Sequence, residues 1–403
     1  MSRQREIAYS ILQETLKGEK YANLQMQKEL QQLPFRQRPF VTELVNGVLR
    51  NYLWLQYQFT DLLKKEPRED LKILLCMAFY ERFVLKEKDY ALNNEYVSMA
   101  SEKEKGFVNA LLRKRTAERE LPLDSLENRA VKASLPLWIV RLWQKQFSEE
   151  EFAFLLEDCG KIPPLTYRRN PRKASKEDLE ALGAVFEDDY AFTCKENLLG
   201  SEAFKNGWCY VQDRNAMKIA EMLELQEEST LLDVCSAPGA KFFNCLETVR
   251  PENAYSNDAN PLREDLVRKK AKQLGIEGAH YLSHDGRKLP EVLDREFDRI
   301  LLDAPCSGLG VLKRKPDLRY RLQPSDLDDL QKLQKELLEG VSPLLKEGGI
   351  LLYSTCTLNR KENEKQIASF LQAHPEYVLL EEKRFLYEEG DHFYCAKLQK
   401  REV

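Results

Sequence analysis

The stretch Asp298-Arg-Ile-Leu-Leu-Asp-Ala-Pro-Cys-Ser-Gly-Leu-Gly-Val-Leu-Lys-Arg314 runs from a short apolar segment into a loop that carries Cys306. A second apolar segment, Leu351-Leu-Tyr-Ser-Thr-Cys356, also ends in a cysteine. Apolar runs of this length are typical of buried strands. In an open α/β sheet, ligands bind beyond the carboxyl ends of the strands. The two segments therefore predict one pocket that contains two thiols.

The residues around these two segments alternate between predicted strands and helices. Strands are predicted at 231–234, 255–257, 280–282, 299–302 and 350–353, and helices at 214–225, after Lys241, at 262–274 and at 327–345. Such alternation is typical of a mostly parallel sheet with helices on both faces. We therefore expect residues 207–403 to form a doubly wound α/β domain.

Residues 1–122 have a helical pattern instead. Apolar residues recur three and four positions apart, as in Ile7, Ile11 and Leu12, and Leu71–Tyr80 is apolar enough for a buried central helix. The prediction is an all-helical bundle. Its last helix ends in the basic run 113–115, which either complements the helix dipole or contacts RNA phosphates.

Prolines recur between positions 122 and 171, and residues 123–206 predict a small α/β linker domain, with a strand at 165–170 and a short helix at 176–182. The strand has Tyr167 at its centre. A basic cluster surrounds that tyrosine, formed by Arg168, Arg169, Arg172 and Lys173. These charges either follow a nucleic-acid backbone or protect the edge of a sheet from pairing.

Length and composition restrict the class of protein. The chain has 403 residues, of which 43% are hydrophobic, so it is long enough for two or three globular domains. Its nine cysteines show no C-x-x-C pair or zinc-site spacing, so no metal is expected. No signal segment follows Met1, and no apolar run approaches the roughly 20 residues of a membrane span. The interpretation is a cytoplasmic monomer that, with a net charge of −4, contacts nucleic acid only through local patches.

The turn Asp233-Val-Cys-Ser-Ala-Pro-Gly-Ala-Lys241 lies where doubly wound folds bind nucleotides. It matches neither G-x-G-x-x-G nor G-x-x-x-x-G-K-[ST], which disfavours a pyrophosphate ligand. Four acids fall near strand ends, at Asp233, Asp258, Asp285 and Asp303. Each of them could be only a helix cap or turn residue. Together, carboxylates at these positions suit a cationic, adenosine-bearing cofactor, and S-adenosylmethionine fits.

Two thiols and a nearby acid suit base methylation. A thiolate is a strong carbon nucleophile, and we expect Lys241 and helix N-termini to lower the pKa of a thiol here. Addition of a thiolate to carbon 6 of cytosine makes carbon 5 nucleophilic toward a methyl sulfonium. A second thiol or another base then helps to remove the carbon 5 proton and to expel the first thiol. The base must leave its stack, which favours unpaired RNA as the substrate.

Two parts of the chain resemble known families. Phe40–Arg50, Asn93–Val97 and Lys105–Arg113 resemble the helical RNA-binding domain of NusB. The C-terminal half is similar to the Sun/RsmB family of ribosomal RNA (cytosine-C5) methyltransferases. The similarity rests on Val211–Asp213, Asp233–Lys241, Asp258 with Arg263, Asp285–Arg287, Asp303–Gly308 with Pro316-Asp317, Ser354–Cys356 with Glu362–Glu364, and Ala396–Leu398.

The resemblance implies a NusB-like all-helical domain (1–122), a small α/β linker domain (123–206) and a Rossmann-like S-adenosylmethionine-dependent methyltransferase domain (207–403). It implies that Cys356 attacks the base, that Cys306 assists proton removal and release, and that Asp303 and Lys241 orient the cytosine. The implied cofactor-binding residues are Cys235, Ser236, Ala237, Pro238, Gly239, Ala240, Lys241, Asp258, Arg263, Asp285 and Asp303.

The expected function is methylation of a cytosine in small-subunit ribosomal RNA. The chain departs from the family at Ala240 and Phe242, where a second glycine and a threonine are usual. The Cβ of Ala240 is expected to weaken cofactor binding. Two alternatives remain open: a transfer RNA substrate, and a non-catalytic RNA-binding scaffold with a degenerate cofactor site.

Overall fold

A computed structural model describes residues 3–18 and 20–402; Met1 and Ser2, where the sequence predicts no signal segment, lie outside this range. The chain forms two compact units. The first consists of Met1–Ile162 and Val311–Gln323, and the second of Pro163–Gly310 and Pro324–Val403. This division cuts the expected linker domain at Ile162: the part before it lies in the first unit, and the predicted strand and short helix after it lie in the second. The three-domain boundaries therefore stay a prediction.

The first unit is helical, as its apolar periodicity predicts. Its helices before Ile162 are α1 (Arg3–Leu16), α2 (Ala22–Glu29), α3 (Arg38–Thr60), α4 (Glu69–Phe83), α5 (Asp89–Met99), α6 (Lys105–Lys114), α7 (Leu126–Ala133), α8 (Leu137–Gln146) and α9 (Glu149–Asp158). Helix α4 is buried over nearly its whole length and packs against α3 and α5. The predicted central helix is confirmed.

The second unit begins with a small antiparallel sheet. Its elements are β1 (Thr166–Arg169), α10 (Lys176–Glu180), β2 (Ala184–Phe186), β3 (Ala191–Cys194), α11 (Glu202–Lys205) and β4 (Cys209–Val211), with the strands in the order β2-β3-β1-β4. Strand β1 is central in this sheet. Charges on β1 therefore cannot protect a sheet edge, and that interpretation of the basic cluster is wrong for Arg168 and Arg169.

The side chains of the basic cluster are largely used inside the protein. Arg168 is 4% exposed and its guanidinium lies 2.6 Å from the Glu247 carboxylate. Arg169 donates to the carbonyls of Asp189 and Ala174. The ring of Tyr167 is buried. Arg168 and Tyr167 are thus unavailable to a phosphate backbone, whereas Arg172 and Lys173 remain exposed.

The rest of the chain forms the larger sheet and its helices. They are α12 (Arg214–Glu221), β5 (Leu231–Asp233), α13 (Ala240–Cys245), β6 (Ala254–Asn257), α14 (Pro261–Leu274), β7 (His280–Leu282), β8 (Phe297–Asp303), α15 (Leu318–Arg321, in the first unit), α16 (Pro324–Val341), β9 (Leu345–Thr355), α17 (Glu364–Ala373), β10 (Tyr377–Phe385) and β11 (Phe393–Lys400).

The larger sheet has the order β10-β11-β9-β8-β5-β6-β7. From β9 to β7 all neighbouring strands are parallel, whereas β11 runs antiparallel to both β9 and β10. The predicted Rossmann-like, mostly parallel sheet is therefore confirmed. Among the described residues, no helix combines the length and apolar character needed to cross a membrane.

Residues 311–323 belong to the first unit, although the chain on both sides of them belongs to the second. Arg319, in α15, is fully buried. Its guanidinium donates to the carbonyl oxygens of Arg50, Ala133, Ser134, Cys159 and Leu312 at 2.9–3.3 Å. One side chain thus ties the segment to α3, to the end of α7 and to the end of α9.

Replacement of Arg319 by Met is expected to destabilise the first unit by on the order of 3 kcal/mol, because five carbonyls lose their donor while remaining buried. Urea denaturation followed by tryptophan fluorescence measures the change. Arg321→Met is the matched control, since Arg321 is partly exposed and its guanidinium donates to the Lys20 carbonyl at the surface. Equal midpoints for the two variants would contradict the anchoring role of Arg319.

Candidate active site

The parallel pairing of β8 and β9 brings the two thiols together. Asp303 and Ser354 are register partners at the ends of these strands. Cys306 and Cys356 follow them, and their Sγ atoms lie 3.3 Å apart, a hydrogen-bond distance for sulfur. Both cysteines are partly exposed. The two thiols therefore share one accessible site.

The electrostatic environment raises the pKa of the Cys306 thiol well above its usual range. The main cause is its hydrogen bond with Cys356, followed by burial and by the charges of Cys356 and Glu362. The sequence predicts a lowered thiol pKa at this place, which is wrong for Cys306. The reason is that the partner thiol and a buried carboxylate are nearest to it. Cys306 thus tends to keep its proton.

Lys241 and Asp303 form an ion pair beside the thiols. Lys241 Nζ donates to Asp303 Oδ2 at 2.7 Å, and Ser354 Oγ donates to Asp303 Oδ1 at 2.8 Å. The ammonium group also lies 4.9 Å from the centre of the Phe393 ring. Burial lowers the pKa of Lys241, but the charges of Asp303, Cys356 and Asp233 raise it overall. Lys241 is therefore a cation that holds the Asp303 carboxylate in place.

Sequence reasoning assigned no role to Ser354 or Phe393. Ser354 was already visible in the Ser-Thr-Cys motif, and its place opposite Asp303 follows from pairing the two strand ends. Phe393 opens β11, a strand that the alternation of predicted elements did not include. No local sequence signal identifies it as a neighbour of Lys241.

The turn between β5 and α13 has buried polar atoms without partners. Asp233 Oδ1 and Ser236 Oγ are buried and make no hydrogen bond. Burial is also the main cause that raises the pKa of Asp233 well above its usual range, with the Asp303 charge second. Gly239 adopts φ +97°, and a Cβ there would lie 2.6 Å from the Phe243 ring. The turn is therefore closely packed, and it contains polar atoms that lack a hydrogen-bond partner.

The two departures from the family pattern lie at the start of α13. Ala240 is its first residue, and Phe242 is fully buried in the same apolar cluster as Phe243. Phe242 thereby contributes to the core in place of a polar side chain. Cys235 also packs against an apolar cluster, and burial raises the pKa of its thiol.

The remaining predicted cofactor residues lie after β6 and β7. Asp258 is buried and its carboxylate lies 3.3 Å from the Arg263 guanidinium, which also donates to the Ala237 carbonyl. Asp285 accepts from the backbone and side chain of Arg287, and this lowers the pKa of Asp285. Arg263 therefore connects Asp258 to the turn, whereas Asp285 is held by its own neighbour.

Comparisons with known proteins show the family to which the chain belongs. A family model for the 16S rRNA methyltransferases RsmB/F matches residues 220–399, and a model for the NusB family matches residues 2–117. A probable ribosomal RNA small subunit methyltransferase B from Bacillus subtilis is 31% identical over 397 residues, covering 93% of this chain and 89% of the relative. The chain belongs to the RsmB family of ribosomal RNA small subunit methyltransferases.

Another curated relative and two solved structures are also similar to this RsmB-family chain. The corresponding probable enzyme from Synechocystis is 32% identical, covering 93% of this chain and 90% of its own. The crystal structure of PH0851 matches with a TM-score of 0.80 and 23% identity, over 99% of this chain and 100% of that one. NSun6 from Pyrococcus horikoshii, crystallised with SFG, has a TM-score of 0.59 and 20% identity over 66% of this chain and 99% of its own. The two structures show a shared fold.

Glu264 provides a pH-dependent test of this region. Its carboxyl group is 1% exposed, accepts from Ser256 Oγ at 2.7 Å, and has its pKa raised to about 7, mainly by burial. The folded protein therefore holds a proton that the unfolded chain releases above about pH 4.5. Stability should fall as pH rises from about 4.5 to 7 and then level off.

Replacement of Glu264 by Gln removes this titration. The variant should match the parent protein at pH 4.5 and be more stable at pH 8 by on the order of 2 kcal/mol. Thermal unfolding at both pH values measures the difference. Asp265→Asn, on the exposed face of the same helix, is the control and should show no such pH dependence. A constant difference for Glu264→Gln across this range would refute the raised pKa.

Proposed function

We propose that this protein methylates carbon 5 of a cytosine in small-subunit ribosomal RNA, through a covalent bond between a cysteine and the base. The observation that carries the proposal is the pair of thiols 3.3 Å apart beside the ion pair of Lys241 and Asp303. Methylation of a base amine or a ribose hydroxyl needs no nucleophilic thiol. Two adjacent thiols suit the addition and elimination that carbon 5 of cytosine requires.

The residues beyond β5, β6 and β7 fit S-adenosylmethionine. Asp233 Oδ1 and Ser236 Oγ are buried without a hydrogen-bond partner, so a bound ligand can supply one. The Asp258 carboxylate suits ribose hydroxyls. The residues that would hold the cofactor are 235–241, Asp258, Arg263, Asp285 and Asp303. The bound cofactor supplies an electrophilic methyl group on a sulfonium.

In the proposed reaction, the Cys356 thiolate adds to carbon 6 of a cytosine that has left its stack. Lys241 and Asp303 hold the ring by its polar edge, and the Lys241 charge stabilises the thiolate before attack. Carbon 5 becomes nucleophilic and would take the methyl group as its bond to the cofactor sulfur breaks, which would leave a neutral thioether. Removal of its proton then re-forms the double bond, and the bond between Cys356 and carbon 6 breaks, which returns the thiolate.

The raised pKa of Cys306 favours a division of roles between the thiols. A thiol that keeps its proton can donate a hydrogen bond to a neighbouring thiolate, which suits Cys356 as the nucleophile. After Cys356 has bonded to carbon 6, Cys306 gives up its proton to water, and the resulting thiolate, with the higher pKa, is the stronger base for the carbon 5 proton. We therefore assign proton removal at carbon 5 and product release to Cys306.

Two alternatives are separated by experiment. A transfer RNA substrate requires the same chemistry, but the NusB-family domain at residues 2–117 favours ribosomal RNA as the substrate. Bisulfite sequencing of ribosomal and transfer RNA from cells lacking the protein distinguishes the substrates. For a non-catalytic scaffold, calorimetry should detect no binding of S-adenosylmethionine, whereas we expect binding despite the Cβ of Ala240.

The thiol roles predict opposite behaviour of two matched variants. Cys306→Ser should accumulate a covalent protein–RNA adduct, because the base is attacked but not released. Cys356→Ser should form none, because it lacks the nucleophile. Incubation with S-adenosylmethionine and unmodified small-subunit RNA, followed by denaturing electrophoresis, measures the adduct. If Cys356→Ser formed the adduct and Cys306→Ser did not, the assignment would be reversed.

A further inference from the structure

A buried carboxylate, Glu362, connects the two loops that carry the thiols. It lies in the segment between Cys356 and α17 and has no exposed surface. Its oxygens accept four hydrogen bonds, from Ser307 N (2.8 Å), Ser307 Oγ (2.6 Å), Asn359 Nδ2 (2.9 Å) and Gln334 Nε2 (3.1 Å). All four donors are neutral groups.

Three of the four donors belong to the segments next to the reacting sulfurs. Ser307 directly follows Cys306, and Asn359 lies three residues after Cys356. The Ser307 hydroxyl also lies 3.0 Å from that of Thr357, the residue after Cys356. Each thiol is thus flanked by a residue of one continuous hydrogen-bond network that contains both Glu362 oxygens.

The surroundings hold Glu362 itself in position. Its carbonyl oxygen accepts from the buried Tyr353 hydroxyl at 2.7 Å. Gln334, on α16, donates both to Glu362 and to the carbonyl of Pro305, the residue before Cys306. The network is therefore fixed to β9 on one side and to α16 on the other.

The free-energy cost of burying a carboxylate indicates that Glu362 does more than fill space in the core. A buried carboxylate loses its hydration, and neutral donors return only part of that free energy. A carboxylate is, however, an acceptor at both oxygens, so it can bind donors from both loops simultaneously. A glutamine would present its own donors to Ser307 N or to Gln334, which breaks part of the network.

We propose that Glu362 is a positioning residue that holds the two thiols at their short separation. It touches neither sulfur and acts through Ser307 and Asn359. The proposal rests on the proposed function for its catalytic consequence, since attack by one thiol and proton removal by the other require both at one base. The spacing itself is a property of the protein alone.

The experiment compares Glu362→Gln with the parent protein in the full chain. Phenylarsine oxide bridges two thiols only when their sulfurs are close, so its binding at Cys306 and Cys356, located by mass spectrometry, reports the spacing without any methylation. We expect the variant to bind it on the order of 10-fold more weakly. We also expect kcat for RNA methylation to fall on the order of 100-fold, with the affinity for S-adenosylmethionine nearly unchanged.

Glu364→Gln is the matched control, because this half-buried carboxylate lies two residues away and pairs with Arg384 instead of the cysteine loops. It should bind the arsenical as the parent does. A second variant, Gln334→Met, keeps the carboxylate but removes one donor, and should show the same changes to a smaller degree.

The outcomes separate the two proposals. Parent-like arsenical binding by Glu362→Gln overturns the positioning role. Loss of S-adenosylmethionine binding by both Glu362→Gln and Gln334→Met also overturns it, since the network would then support the whole site. Weaker arsenical binding by the variants, with no cytosine methylation by the parent protein, upholds the positioning role and overturns the proposed function.

Discussion

The parallel pairing of β8 with β9 is the constraint on which the site depends. It places Asp303 opposite Ser354 and starts both cysteine loops at the same edge of the sheet. Strand β5 lies on the other side of β8, so helix α13, which follows β5 and carries Lys241, begins at that edge too. A register shift of one residue would turn Asp303 to the opposite face of the sheet and break its contacts with Lys241 and Ser354.

The sequence predicts the elements that have a strong internal period. Buried parallel strands are short apolar runs, and their helices have regular apolar faces, so the sheet from β9 to β7 follows from the pattern. Strand β10 was not predicted, because its centre, residues 379–382, is exposed at the edge of the sheet and places two leucines and two carboxylates in sequence without a regular apolar alternation. Strand β11 pairs with β10 and β9, and long-range pairing of this kind leaves no local signal.

The sequence predicts which residues form the site, but it does not predict how the site shifts the pKa of Cys306. The predicted strand ends and the family resemblance place the thiols, Lys241 and Asp303 together, and the structure does the same. The raised pKa of Cys306 depends on a contact with Cys356, 50 residues away in the chain. Likewise, the basic appearance of residues 168–173 suggested a surface role. Only the structure shows that Glu247 neutralises Arg168 in the interior.

The split composition of the first unit has a consequence for biosynthesis. Arg319 binds carbonyls of residues that precede it by 160 to 269 positions. A ribosome adds about 5–20 residues per second, so it needs roughly 8–32 s to synthesise the 160 residues that follow Cys159 up to Arg319. The helices therefore leave the ribosome well before the segment that completes their core. A fragment that stops at Ile162 lacks this segment, so expression trials of the helical unit should add residues 311–323 through a linker.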